Sequence, residues 1–164
     1  MMEFVKAAPE DQTEILALYR SLVGTEYCAW TQDYPNETTI QFDMERDALF
    51  CLKDEEGKIV GVISIDQDDE VEKLPCWTTA LQPAGELSRL GVRIESQNQG
   101  VAGKLLKNGM TELKDRGKKS VHFLVCKTNE KAIRAYRKLD FNIVGECRLF
   151  GEEWWCYEKS LYSN

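Results

Sequence analysis

The apolar positions of the chain recur in blocks, some at helical and some at strand spacing. Glu3 to Ala7 reads as a short first strand, and Pro9 then opens a helix. Ile15, Leu16, Tyr19, Leu22 and Val23 share one face of that helix, and Gly24 follows its end. An aromatic, polar stretch with Tyr27, Trp30, Tyr34 and Pro35 precedes a second helix from about Thr38 to Asp47. Leu49 to Lys53 and Lys58 to Ile65 flank Asp54-Glu55-Glu56-Gly57, which predicts a hairpin. Asp66 to Pro83 is acidic and then irregular, with Pro75 and Pro83 limiting regular structure. Glu86 to Val92 predicts another strand, and Gly100 to Arg116 a helix striped by Val101, Leu105, Leu106, Met110 and Leu113 and closed by Gly117. The almost unbroken apolar run Val121 to Cys126 marks a strand covered on both faces. Asn129 to Leu139 is helical, and Asn142 to Phe150 with Trp154 to Leu161 form a last strand pair around Gly151. The expected order is β-α-α-β-β-β-α-β-α-β-β in one mixed α/β domain, residues 2 to 161.

Composition narrows the class. The 164 residues are 43% hydrophobic and 30% charged, ordinary values for a chain that buries its own core. The balance of 28 acidic against 21 basic residues argues against nucleic acid, which is held by basic contacts to phosphate. No apolar run reaches the ~20 residues of a membrane helix. Met1-Met2-Glu3-Phe4-Val5-Lys6 lacks a signal-peptide pattern, so the expected location is cytoplasmic. Cys28, Cys51, Cys76, Cys126, Cys147 and Cys156 are scattered and read as reduced thiols acting as small hydrophobes, with no metal site. His122 sits in the strand Val121 to Cys126 without a nucleophile at useful spacing and reads as structural.

The stretch from Leu87 to Leu106 carries the chemistry. A strand runs into a polar loop, and a glycine-containing turn then opens a helix. The first N–H groups of such a helix lack intrahelical acceptors, and the helix dipole adds partial positive charge. Small residues at Gly100, Ala102 and Gly103 let a phosphate or pyrophosphate approach those amides, or else permit tight helix–sheet packing.

Gln97-x-x-Gly100-x-Ala102 resembles the acetyl-CoA signature R/Q-x-x-G-x-G/A of the GNAT family of N-acetyltransferases. Asn129 to Phe141 resembles that family's second hallmark, an asparagine followed by A-I-x-x-Y-x-K-x-G-F. The motifs stand in the family's order, and the element order matches it over residues 2 to 161. Two positions depart. Ala102 stands where many members have glycine, and Asp140 replaces the glycine before Phe141, where a left-handed backbone is expected.

The resemblance implies a GNAT fold: a central, mostly antiparallel sheet of six or seven strands, flanking helices, and a splayed strand pair at the cofactor site. It implies acetyl-CoA as cosubstrate. Backbone groups of Leu90 and Val92 would pair with the pantetheine arm, and amides of Gln97, Asn98, Gln99, Gly100, Val101, Ala102 and Gly103 would hold the pyrophosphate. Asn129 would hydrogen-bond the pantetheine part, and Tyr136 would stand beside the sulfur. Tyr136 also falls on the inward face of its helix, as a core tyrosine would. Glu86 opens the strand leading to the cofactor loop, where several family members carry a glutamate, and is the candidate base that deprotonates the acceptor. An exposed strand-start glutamate is the bland alternative.

The acidic run Asp66 to Glu72 would either steer a cationic acceptor or form a solvated loop. Tyr27, Trp30, Tyr34 and Trp77 would line an acceptor pocket, cap the core, or cover a homodimer interface. The expected function is acetyl transfer from acetyl-CoA to a primary amine, on a small molecule or a peptide, by direct attack on the thioester. A CoA-binding regulatory or sensor domain with little turnover is the alternative.

Overall fold

The computed structural model describes residues 1–162. Its elements are β1 (Glu3–Lys6), α1 (Gln12–Leu22), α2 (Glu37–Glu45), β2 (Leu49–Lys53), β3 (Ile59–Asp66), α3 (Asp69–Glu72), β4 (Ala84–Val92), α4 (Val101–Asp115), β5 (Ser120–Cys126), α5 (Glu130–Arg137), β6 (Asn142–Leu149) and β7 (Glu152–Ser160). The seven strands form one sheet in the order β1-β2-β3-β4-β5-β7-β6. Pairing is antiparallel for β1–β2, β2–β3, β5–β7 and β6–β7. It is parallel for β4–β5, over Ala84↔Ser120, Gly85↔Val121 and Glu86↔His122. This is the mixed α/β architecture that the sequence pattern implies.

Two differences from the expected elements bear on function. The acidic segment is not wholly irregular. Asp68 accepts from the Glu70 amide and caps the single-turn helix α3, and a further 3-10 turn covers Thr79–Leu81. Strand β4 begins at Ala84, not Glu86. Glu86 is therefore the third residue of a paired strand and is 6% exposed, which removes the solvated strand-start reading. The strand can start early because Gly85 has no side chain; a methyl there would overlap Leu113 of α4.

The chain forms two compact units. The first takes Met1–Asp66 with Leu87–Gly109, and the second takes Gln67–Glu86 with the chain from Met110 onward. The core of the first joins Ile15, Leu18, Tyr19 and Leu22 of α1 to Ile40, Leu49, Cys51, Ile59 and Val62. Leu18 is buried where the apolar spacing had put Val23, so the buried stripe of α1 lies slightly round the helix from the expected one. In the second unit Val71, Trp77 and Cys156 form a buried cluster with Leu74, Cys76, Leu124 and Cys147 around them. Ring-on-ring contacts of Phe123 with Tyr136, Phe141 and Tyr157 form another layer, at centroid distances of 4.9, 4.9 and 5.8 Å. Among the described residues no helix is long and apolar enough to cross a membrane.

Candidate active site

Strand β4 carries a residue that regular strand geometry forbids. Arg89 has φ 46, in the left-handed region, immediately before Leu90. Its side chain holds it there. Nη2 donates to Asp43 Oδ1 at 2.7 Å and Oδ2 at 3.0 Å, and Nη1 donates to Asp66 at 2.9 Å and to the Tyr34 hydroxyl at 3.1 Å. Asp43 is fully buried and also accepts from Arg46 at 2.6 Å and Ser64 at 2.7 Å. Burial works against the charge on Arg89, but Asp43 and then Asp66 more than offset it, so its pKa is raised. A buried charge network thus fixes the irregular backbone just ahead of Leu90 and Val92.

The loop after β4 braces itself. Arg93 Nε donates to the Ile59 carbonyl at 2.9 Å, and its Nη2 to Glu14 at 3.2 Å. A 3-10 turn, Ile94–Ser96, follows. Gln97 Nε2 donates to the Val92 carbonyl at 3.2 Å, and Gln99 Nε2 to the Glu95 carbonyl at 3.1 Å. Asn98 and Gly100 then take φ 63 and φ 80, turning the chain into α4. A Cβ built on Gly100 or Gly103 meets no atom within 4 Å, so there is room beside both glycines for an incoming group. Val101 is buried and anchors the helix start, while Ala102 and Gly103 are half-buried. The first-turn amides have no intrahelical acceptors, and the dipole favours an anion there. This donor set fits a pyrophosphate.

In the second unit the strand register places Glu86, His122 and Glu158 side by side on one face of the sheet. All three are buried. Glu158 accepts from the Thr78 amide at 2.8 Å and the Thr78 hydroxyl at 2.6 Å. The His122 ring stacks on Trp77, with centroids 4.2 Å apart and planes 14° from parallel. Neither ring nitrogen has a hydrogen-bond partner, and burial pushes the imidazole pKa down to about 4. His122 is thus neutral at pH 7.

Tyr136 lies on the other face. Its ring meets Phe123 edge-on, and Phe123 neighbours His122 in β5, so the two side chains point oppositely. Phe141 and Tyr157 complete the surround at 5.9 and 5.8 Å. Burial among these rings pushes the hydroxyl up to about 12, so it keeps its proton at neutral pH. Glu86 and Tyr136 are therefore presented from opposite faces. Asn129 caps α5, its Oδ1 accepting from the Ala132 amide at 3.1 Å. Asp140 takes φ 60, as the departure from the family's glycine requires.

The aromatic and acidic segments make contacts of their own. Trp30 packs edge-on against Tyr19 at 5.2 Å, and Trp77 donates Nε1 to the Val71 carbonyl at 2.7 Å. Both tryptophans cap cores, while Tyr27 and Tyr34 are exposed. Asp66 serves Arg89, Asp68 caps α3, and Glu70 pairs with Lys73 at 2.9 Å. Sequence reasoning missed the Arg89–Asp43 network and the environment of His122. An arginine between Leu87 and Leu90 in a run read as a strand was the available signal for the first.

The sequence profile described as the acetyltransferase (GNAT) family matches residues 15–141. Solved structures with the same fold include an N-acetyltransferase from Staphylococcus aureus Mu50, 22% identical, TM-score 0.72, covering 98% of this chain and 99% of that one. The ribosomal-protein-S18-alanine N-acetyltransferase from Escherichia coli is 18% identical, TM-score 0.73, over 100% of this chain and 96% of that one. The Salmonella typhimurium protein yncA, solved with its cofactor acetyl-CoA, is 18% identical, TM-score 0.75, over the same shares. No curated protein matches the chain significantly.

Proposed function

The chain belongs to the GNAT acetyltransferase family, and from that premise we propose that it moves the acetyl group of acetyl-CoA to a primary amine by direct attack on the thioester. The observation that supports this reading is the turn into α4, where Gly100 at φ 80 and the empty space beside Gly100 and Gly103 leave room for a pyrophosphate at the helix start. When bound, the cosubstrate supplies an activated acetyl carbonyl and a thiolate leaving group.

The chain's own residues do the rest. Amides from Gln97 through Gly103 hold the pyrophosphate. Backbone groups of Leu90 and Val92, fixed behind the left-handed Arg89, pair with the pantetheine arm. Asn129 spends Oδ1 on its helix cap and keeps Nδ2 to donate to that arm. Residues 2 to 161 form the transferase domain.

The acceptor arrives mostly as an ammonium ion, since an alkylamine resembles lysine with a pKa near ~10.4. Glu86 takes that proton on a carboxylate oxygen, freeing the nitrogen lone pair. Tyr136, still protonated, hands its proton to the departing sulfur from the opposite face, and the surplus proton of the newly acylated nitrogen restores the hydroxyl. Presenting base and acid on opposite faces keeps them from neutralising each other. The acceptor is a small-molecule or peptide amine, and the acidic balance of the chain favours a cationic one over nucleic acid.

Initial rates with both substrates varied test the direct attack. Double-reciprocal lines that intersect fit one ternary complex; parallel lines would mean an acetyl-enzyme and would contradict it.

A further inference from the structure

The cysteines are scattered in sequence, but the fold gathers Cys76, Cys147 and Cys156 in the second unit. Cys156 of β7 is fully buried in the cluster with Val71 and Trp77, and Cys76 and Cys147 pack against that cluster. The Cys156 thiol interacts with the thiols of both. Gly145 lets Cys76 come this close. It is the register partner of Cys156 across β6 and β7. A Cβ built on Gly145 would stand 2.7 Å from Cys76 Cβ and 3.4 Å from its Sγ, so no side chain fits there. Directly opposite residues of an antiparallel pair have Cβ positions only roughly 4.5–5.5 Å apart, which sets Cys76 beside Cys156. The residues after Cys76 hold it in place. Trp77 stacks on His122, and Thr78 donates to Glu158, two residues beyond Cys156 on the same face of β7. The three thiols differ in access. Cys76 and Cys147 are half-buried, whereas Cys156 is closed to solvent and burial pushes its pKa up. Burial also pushes the Cys147 thiol up, which lowers its share of reactive thiolate.

We propose that Cys76 is a site of reversible oxidation, and that Cys156 resolves its sulfenic acid into a Cys76–Cys156 disulfide. The oxidant is a hydroperoxide, of which hydrogen peroxide is the simplest. The Cys76 sulfur attacks one peroxide oxygen and the O–O bond breaks, giving the sulfenic acid; the other oxygen leaves as water with the thiol's proton. The Cys156 sulfur then attacks the Cys76 sulfur. The S–O bond breaks, and the hydroxide leaves as a second water with the Cys156 proton. Two thiols and one peroxide thus become one disulfide and two waters. The bridge staples the segment carrying Trp77 and Thr78 to β7, and a reducing dithiol releases it.

The test is independent of acetyl transfer. Reduced protein is exposed to hydrogen peroxide, the remaining thiols are alkylated, and the chain is cut with trypsin. Cleavage after Lys73, Arg89, Lys138, Arg148 and Lys159 leaves Cys76, Cys147 and Cys156 in separate peptides, so mass spectrometry reads the linkage directly. The Cys76 and Cys156 peptides should be recovered joined, and dithiothreitol should separate them. The Tm of the oxidised protein should rise by roughly 5–15 °C, because the bridge closes a loop of about 80 residues. Cys147→Ser should leave both effects intact, and Cys76→Ser should abolish both. The joined peptides of the unsubstituted protein decide even if a variant fails to fold. Recovery of Cys76 and Cys156 unlinked, or a main product in which either is joined to Cys147, overturns the proposal.

Discussion

Arg89 Nη2 grips both carboxylate oxygens of Asp43, at 2.7 and 3.0 Å, from a residue whose backbone is left-handed inside a strand. The pair ties α2 to β4. Left-handed backbone at a non-glycine position is worth roughly 1–2 kcal/mol of strain, and the ion pair holds the chain against it. Arg89→Met should destabilise the protein by about 3–5 kcal/mol in urea unfolding, because it leaves Asp43 buried with fewer partners. Adding Asp43→Leu should recover part of that loss. A single variant within about 1 kcal/mol of wild type would make the network incidental.

The acetyl-CoA turn is tested by charge. Gly100→Glu puts a carboxylate where the pyrophosphate is held, so the Tm rise given by acetyl-CoA and CoA should vanish. Gly100→Asn is the control, since asparagine tolerates φ 80 and adds no charge. It should fold and keep most of the rise. Normal binding by a folded Gly100→Glu would move the phosphate site elsewhere.

Tyr136→Phe keeps the ring contacts with Phe123, Phe141 and Tyr157 and removes only the hydroxyl. Binding of acetyl-CoA should survive. A thiol resembling cysteine, with pKa about 8.5, leaves tolerably unaided, so kcat should fall by about 10-fold to 100-fold and no further. An unchanged kcat under conditions limited by chemistry would leave Tyr136 a packing residue.

His122 also predicts a pH effect on stability. Its ordinary value of 6.5 falls to about 4 in the folded chain. Between those values the unfolded chain binds a proton that the folded chain refuses, so stability is lost as pH falls from 6.5 towards 4. The full loss from this group is about 3 kcal/mol. Relative to wild type, His122→Phe should gain that amount over the same interval in urea unfolding. A difference independent of pH would mean that the imidazole titrates normally.

The sequence made the fold readable wherever periodicity or turn chemistry acted locally. The β2–β3 hairpin, the stripe of α4 and the unbroken run of β5 are of that kind. Gln97, Gly100 and Asn129 stood in motifs whose spacing is preserved in the backbone: a left-handed glycine ahead of α4 and an asparagine cap on α5. Long-range contacts were not readable. Nothing local marks Asp43 and Arg89 as partners across 46 residues. The burial of His122 depends on Trp77 arriving from a segment that looks irregular in sequence. The same holds for Glu86, whose burial follows from pairing with β5 rather than from its neighbours in the chain.

Acetyl transfer itself is tested most directly by incubating the protein with acetyl-CoA and a panel of small amines, amino acids, peptide N-termini and lysine peptides, following free CoA thiol and the mass of each acceptor. At least one amine should gain a single acetyl group in step with thiol release, faster at pH 8 than at pH 6 as the acceptor loses its proton. Tight binding of acetyl-CoA with no thiol released beyond the enzyme-free rate, across the whole panel and pH range, would contradict the account and leave a CoA-binding regulatory domain in its place.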